Sequence, residues 1–165
     1  ISGVHDLLPN RVGGAAMQKN LETLGDIQYS QEEIDFALEL QRNNGKPELG
    51  IDGKIRPLRE TLNSPGGGST DSGDVSYNIP VVSLAATTAP KGVPWHSWSV
   101  VASSGMSIGH KGMLHAAKAL GMTMVDIFKD SKLREDIKKE FDEKIGEYDY
   151  DPYLDPGPPP IDYVD

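Results

Sequence analysis

Apolar residues recur at helical spacing in four stretches of the 165-residue chain. Met17, Leu21 and Leu24 form a stripe in a helix predicted over residues 11–24, with Asn10 as its N-cap and Gly25 at the C-terminal cap position. Gly13 and Gly14 weaken its first turn by about 1 kcal/mol each. Ser30 and Glu33 have the spacing of a capping box, with Tyr29 and Ile34 placed as a hydrophobic staple, so a second helix starts there. Ile34, Leu38 and Gln41 follow on one face, and Asn43, Asn44 and Gly45 end it. A long helix from Ser107 to Lys129 gathers Leu114, Ala117, Leu120, Met124 and Phe128 on one face. Its small residues, among them Gly109, Gly112 and Ala119, suit close packing against a sheet. Ser131 restarts a helix whose stripe is Leu133, Ile137, Phe141 and Ile145.

Other stretches lack that period. "IPVVSLAATT" is apolar and β-branched between Pro80 and Pro90, which predicts a buried core strand over Val81 to Thr87. "SWSVVASS" (97–104) is a second strand candidate, and a short strand is expected near Ile51 to Arg56 within a loop over 46–68. "GGGSTDSGDVS" reads as a turn leading into a short helix, with Thr70 or Asp71 as its cap. The last nineteen residues, 147–165, hold six acids and no Lys or Arg. That composition suits disorder, but Tyr148, Tyr150, Tyr153, Leu154 and Ile161 give the tail groups with which to dock.

The formal net charge is -9, with a pI near 4.8. Such a surface repels phosphate backbones and anionic lipid, so neither nucleic acid nor a membrane surface is an expected partner. No apolar run approaches the roughly 20 residues of a membrane span. Cysteine is absent, which removes disulfides, thiolate metal sites and a cysteine nucleophile, and fits a reducing, cytoplasmic setting. The chain starts at Ile1 rather than Met, and "ISGVHDLLPN" alternates weakly like the end of a strand, so a fragment of a longer polypeptide is expected.

Candidate chemistry centres on "KGVPWHSWSV", where His96 stands between the only two tryptophans, Trp95 and Trp98. Rings that shield an imidazole from water keep it neutral and make it a good metal ligand. A half-buried structural histidine looks the same. His110 and His115 lie five apart on a predicted helix, about 140° around its axis, so they cannot both face one ion. One is expected to face a site or a core neighbour and the other solvent. His5 has no supporting partner nearby and reads as a surface residue. The glycine-rich turn lacks the Gly-Lys-Ser/Thr ending of a phosphate loop. Its backbone N–H groups are candidates for holding a substrate carboxylate, and Asp74 for orienting a ligand histidine; cap and turn duty explains the same residues.

"STDSGDVSYNIPVVSLAATTAPKGVPWHSW" (69–98) and "HKGMLHAAKALGMTMVDIF" (110–128) closely resemble the C-terminal part of the aminobenzoyl-glutamate hydrolase B-type amidohydrolases, within the aminoacylase-like dinuclear-zinc metallopeptidases. "SGVHDLLPN" is similar to the junction where that family's lid, or dimerisation, domain returns to the catalytic domain. The resemblance implies an α/β fold, the C-terminal part of a three-layer α/β/α catalytic domain. Residues 1–9 would be the junction, 10–146 the catalytic portion and 147–165 an acidic, Pro-rich tail. It implies two divalent metal ions, zinc in most relatives, which activate a water that attacks the amide of an acyl or aryl-acyl amino acid. His96 falls at the family's final histidine ligand. The other ligands and the glutamate general base belong upstream, in the N-terminal part of the same catalytic domain, so the isolated chain is expected to be inactive and to bind no metal pair. Thr70, Asp71 and Asp74 fall at a turn near the substrate carboxylate. "DVSY" resembles the "DFSY" of related hydrolases, but Gly73 stands where those have an acid, which leaves Asp74 a supporting role. A homodimer formed through the lid domain is implied as well. A stand-alone binding module derived from such a hydrolase is the other reading.

Overall fold

The computed structural model describes residues 3–59, 70–154 and 157. Six helices follow one another: α1 (Arg11–Leu24), α2 (Gln31–Asn43), α3 (Ser72–Ser76), α4 (Trp98–Ser104), α5 (Ser107–Lys129) and α6 (Ser131–Ile145). The four longer ones stand where the apolar pattern predicts them, and the expected groups set the ends of α1 and α2. The Asn10 side chain accepts from Gly13 N–H at 2.8 Å and donates to Ile137 O at 2.8 Å, so one residue caps α1 and ties it to α6. Glu140 of α6 accepts from Arg11 N–H and Val12 N–H at 2.8 and 2.7 Å, placing a carboxylate on the positive end of α1. Gly25 closes α1 with φ +75°. Both halves of the Ser30–Glu33 capping box form at the start of α2.

Long α5 is the centre of the packing, in contact with α1, α4 and α6. Met17, Ile108, Ala119 and Ile137 are buried among these helices. Buried polar side chains tie them further. Asn20 of α1 donates to Thr123 Oγ1 at 3.0 Å and Asp126 Oδ2 at 2.8 Å on α5. Gln41 is fully buried and spans two loops, donating to Gly50 O and Lys91 O and accepting from Gly50 N–H. On α2 the buried face is Glu33, Ala37, Leu40 and Gln41, one position round from the stripe of Ile34 and Leu38.

Three expectations change. "SWSVVASS" is helical, not a strand: it forms α4, in which Ser103 Oγ donates to Ser99 O at 2.6 Å and Ser99 Oγ donates to Asn44 Oδ1 at 2.8 Å. Both serines are buried, and Ser99 ties α4 to the residue that caps the C-terminus of α2. Residues 51–56 form no strand; they are pinned as a loop by Ile27 N–H to Gly53 O and Ile55 N–H to Asp26 Oδ1. Val81 to Thr87 is extended and half-exposed, and among the described residues its ladder is one isolated parallel bridge between Val81 and Pro9. A strand needs neighbours on both sides to become a core strand, and Pro9 lacks a donor. The helices do approach it closely. A Cβ at Gly13 would lie 2.3 Å from Val82 Cγ2, and one at Gly112 would lie 2.2 Å from Thr87 O.

The stripe of α5 is also turned outward. Leu114, Leu120, Met124 and Phe128 are exposed, Phe128 to 76%. Its opposite face, with Ile108, Gly112, Ala119 and Thr123, makes the buried contacts.

Candidate functional site

His96 sits in the bend between Pro94 and α4, with φ +59°, a left-handed conformation that a non-glycine residue adopts only at a cost of about 1–3 kcal/mol. It is exposed, and no hydrogen bond or ion pair engages its ring among the described residues. Trp95 and Trp98 do not shield it, contrary to the sequence expectation: they are 70% and 58% exposed. With the backbone turned left-handed between them, the three large side chains stand on the surface.

Beside this bend opens a groove of about 830 Å³. Its walls are the 81–93 segment, the loop over 52–59 and the α1 face with Met17 and Leu21; Trp95 and His115 border it. Lys91 pairs with Asp52 at 3.2 Å on its wall, and Thr87 Oγ1 donates to Asp52 O at 2.6 Å.

The other predicted site residues lie in a separate cluster. Asp71 precedes α3 without a side-chain cap bond, and it is Thr70 Oγ1 that accepts from Ser72 N–H, at 3.3 Å. Both residues are exposed. Asp74 does orient a histidine, but that histidine is His5: Nδ1 lies 2.9 Å from Asp74 Oδ1. Tyr150 donates to the same oxygen at 3.0 Å. The bond from His5 draws the Asp74 carboxyl below its ordinary range, against partial desolvation and with Tyr150 assisting. No hydrogen bond or ion pair among the described residues links His96 to Thr70, Asp71 or Asp74.

His5, expected on the surface, is 7% exposed and has a partner on each ring nitrogen, with Tyr148 Oη 2.7 Å from Nε2. Asp74 and Tyr148 are 69 and 143 residues away, so no local window signals them. His115 donates through Nε2 to Gly25 O at 2.8 Å, while His110 is exposed, as expected for histidines on different faces of one helix.

Over 157 aligned positions the chain is 34% identical to a subunit of the p-aminobenzoyl-glutamate hydrolase of Escherichia coli (strain K12). The alignment covers 81% of this chain. The chain is a relative of aminobenzoyl-glutamate hydrolase. It spans about a third of the length of that relative. No protein-family model and no solved structure matches the chain.

As a metal site, His96 offers one exposed imidazole. Among the described residues no three His, Asp or Glu side chains converge into a ligand set. A zinc site needs three or four protein ligands. Among the described residues His96 therefore supplies a single donor, fewer than a metal site needs. No helix among the described residues is long and apolar enough to cross a membrane.

Proposed function

We propose that the chain is the C-terminal part of the catalytic domain of a metal-dependent amidohydrolase, cleaving the amide of an acyl or aryl-acyl amino acid of the p-aminobenzoyl-glutamate kind. The carrying observation is His96: exposed, unengaged among the described residues and held left-handed next to Trp95, which borders a groove, in a relative of a hydrolase of that name. A strained backbone at an exposed, hydrogen-bond-capable side chain is what a preset ligand position looks like. His96 would hold one of two divalent metal ions, zinc as the resemblance implies; bound there, such ions polarise the amide carbonyl and activate water.

The chain's own residues would then do three things. His96 presents a ring nitrogen from an exposed bend. Trp95 borders the groove and supplies an apolar surface for an aryl group. Asp74 keeps the 70–76 turn in place through His5 rather than touching the substrate.

The general base and the other ligands are assigned to the rest of the catalytic domain, which in this reading is the partner of two open surfaces. One is the 81–88 segment, whose ladder among the described residues is a single bridge. Further strands beside it would complete the sheet of a three-layer α/β/α domain. The other is the exposed stripe of α5, too apolar to stay bare in the assembled enzyme. A homodimer through a lid domain belongs to the same proposal.

The test is hydrolysis of p-aminobenzoyl-glutamate by a polypeptide of the relative's full length that contains this chain. Metal-dependent release of p-aminobenzoate is expected, with none from the 165 residues alone. Equal turnover by the isolated chain would overturn the proposal.

A further inference from the structure

Three separate parts of the chain meet at His5. The first is the segment leading into α1. The second is α3: a Cβ at Gly73 would fall 1.9 Å from His5 O, so the turn lies flush on that backbone. Ser76, fully buried, accepts from Leu8 N–H at 2.8 Å and donates to Gly73 O at 2.5 Å. Tyr77 donates to Asp6 Oδ1 at 2.9 Å. The third part is the acidic tail after α6. Tyr153 stacks on the His5 ring, centroids 4.3 Å apart and planes at 6°. Tyr148 reaches His5 Nε2 and Tyr150 reaches Asp74. Asp74 only accepts, so His5 donates to it through Nδ1.

We infer that the C-terminal tail is a strap that sets the position of the 70–76 turn, with His5 as the positioning residue between them. α3 has five residues and no side-chain cap bond, too short to hold its shape alone. The tail over 148–153 has no ladder or helix of its own among the described residues. Each borrows its order from the other, through one ring and one carboxylate that both engage. Linked hydrogen bonds of this kind form and open together. Tyr148, Tyr150 and Tyr153 are thus the groups that dock the tail, as the sequence suggests; Leu154 is exposed, and Ile161 lies outside the described residues. The inference stands apart from the hydrolase proposal, because it concerns the order of this chain alone.

Amide hydrogen exchange on the full chain tests it. The reporters are Leu8 N–H, bound to Ser76 Oγ, and the N–H groups of Asn78 and Ile79, bound to Val75 O. Removing 147–165 is expected to speed exchange at all three by about tenfold or more, the factor for one lost hydrogen bond, while Ala119 to Thr123 of α5 keeps its rate. Parental rates at Leu8, Asn78 and Ile79 would overturn the inference. Should the truncated chain unfold as a whole, Tyr150→Phe and His5→Phe decide. Each keeps an aromatic ring in place; Tyr150→Phe removes the bond from the tail to Asp74, and His5→Phe removes the link from Tyr148 through His5 to Asp74. Local acceleration at the three reporters, with α5 unchanged, supports the strap; unchanged reporters in both variants refute it.

Discussion

His5 and His96 are the same side chain in opposite circumstances. His5 is buried, both ring nitrogens are engaged, and aromatic rings surround it. His96 is exposed, unengaged among the described residues and held at φ +59°. A satisfied polar group stabilises the fold that surrounds it, whereas a strained and unengaged one costs stability and is retained for something else. The difference separates a structural histidine from a candidate ligand better than the neighbouring sequence does. The tryptophans beside His96 suggest shielding that the fold does not supply, and His5 has nothing beside it to suggest a role.

That contrast can be broken or sharpened by substitution. The largest effect on stability is expected at His5. His5→Ala should lower unfolding free energy by about 2–4 kcal/mol, from a lost buried ring and two hydrogen bonds, as read by denaturant titration. A change below about 0.5 kcal/mol, the range of an ordinary surface substitution, would put His5 on the same footing as His96.

A comparable effect comes from acid, through Glu33. Burial alone would raise its pKa, but hydrogen bonds from Lys111, Ser107 and the Ser30 backbone hold it at about 2, below its ordinary 4.5. The unfolded chain therefore binds the proton first as pH falls. Stability from this group is complete above about pH 4.5 and is lost progressively toward pH 2, by about 3 kcal/mol. Asp74, also drawn down, adds a loss in the same direction. Glu33→Gln should flatten the acid limb of the stability curve, and an unaltered limb would exclude Glu33 as its source.

The smallest effect has the opposite sign. His96→Gly should raise stability by about 1 kcal/mol, because glycine adopts the left-handed conformation without strain. His96→Ala keeps the strain and should be nearly neutral. Calorimetry of the two variants separates backbone from side chain, and a loss of stability in both would mean that the ring is engaged in the fold.

The longer helices are legible in the sequence because their signals are local. Asn10, Ser30 and Glu33 act within one turn, and stripes repeat every three or four residues. α4 is not, because Val-Val beside tryptophan has no period long enough to tell a strand from a short helix, and its serines gain their bonds only in three dimensions. The α5 stripe is plain as a pattern, but which face finds a partner within this chain is a tertiary matter, and the small-residue face wins. His5 is illegible because its partners are distant in sequence. His96 becomes a site candidate through the resemblance of "PWHSW", and its left-handed backbone is a reason the sequence alone does not contain.

In the proposed function His96 completes a metal site whose other ligands lie outside this chain. Metal stoichiometry of the full-length polypeptide, by elemental analysis before and after His96→Ala, tests this. About two divalent ions per polypeptide are expected, with one lost on substitution and turnover of p-aminobenzoyl-glutamate falling by more than about 100-fold. The same metal content and normal turnover in the variant would contradict it.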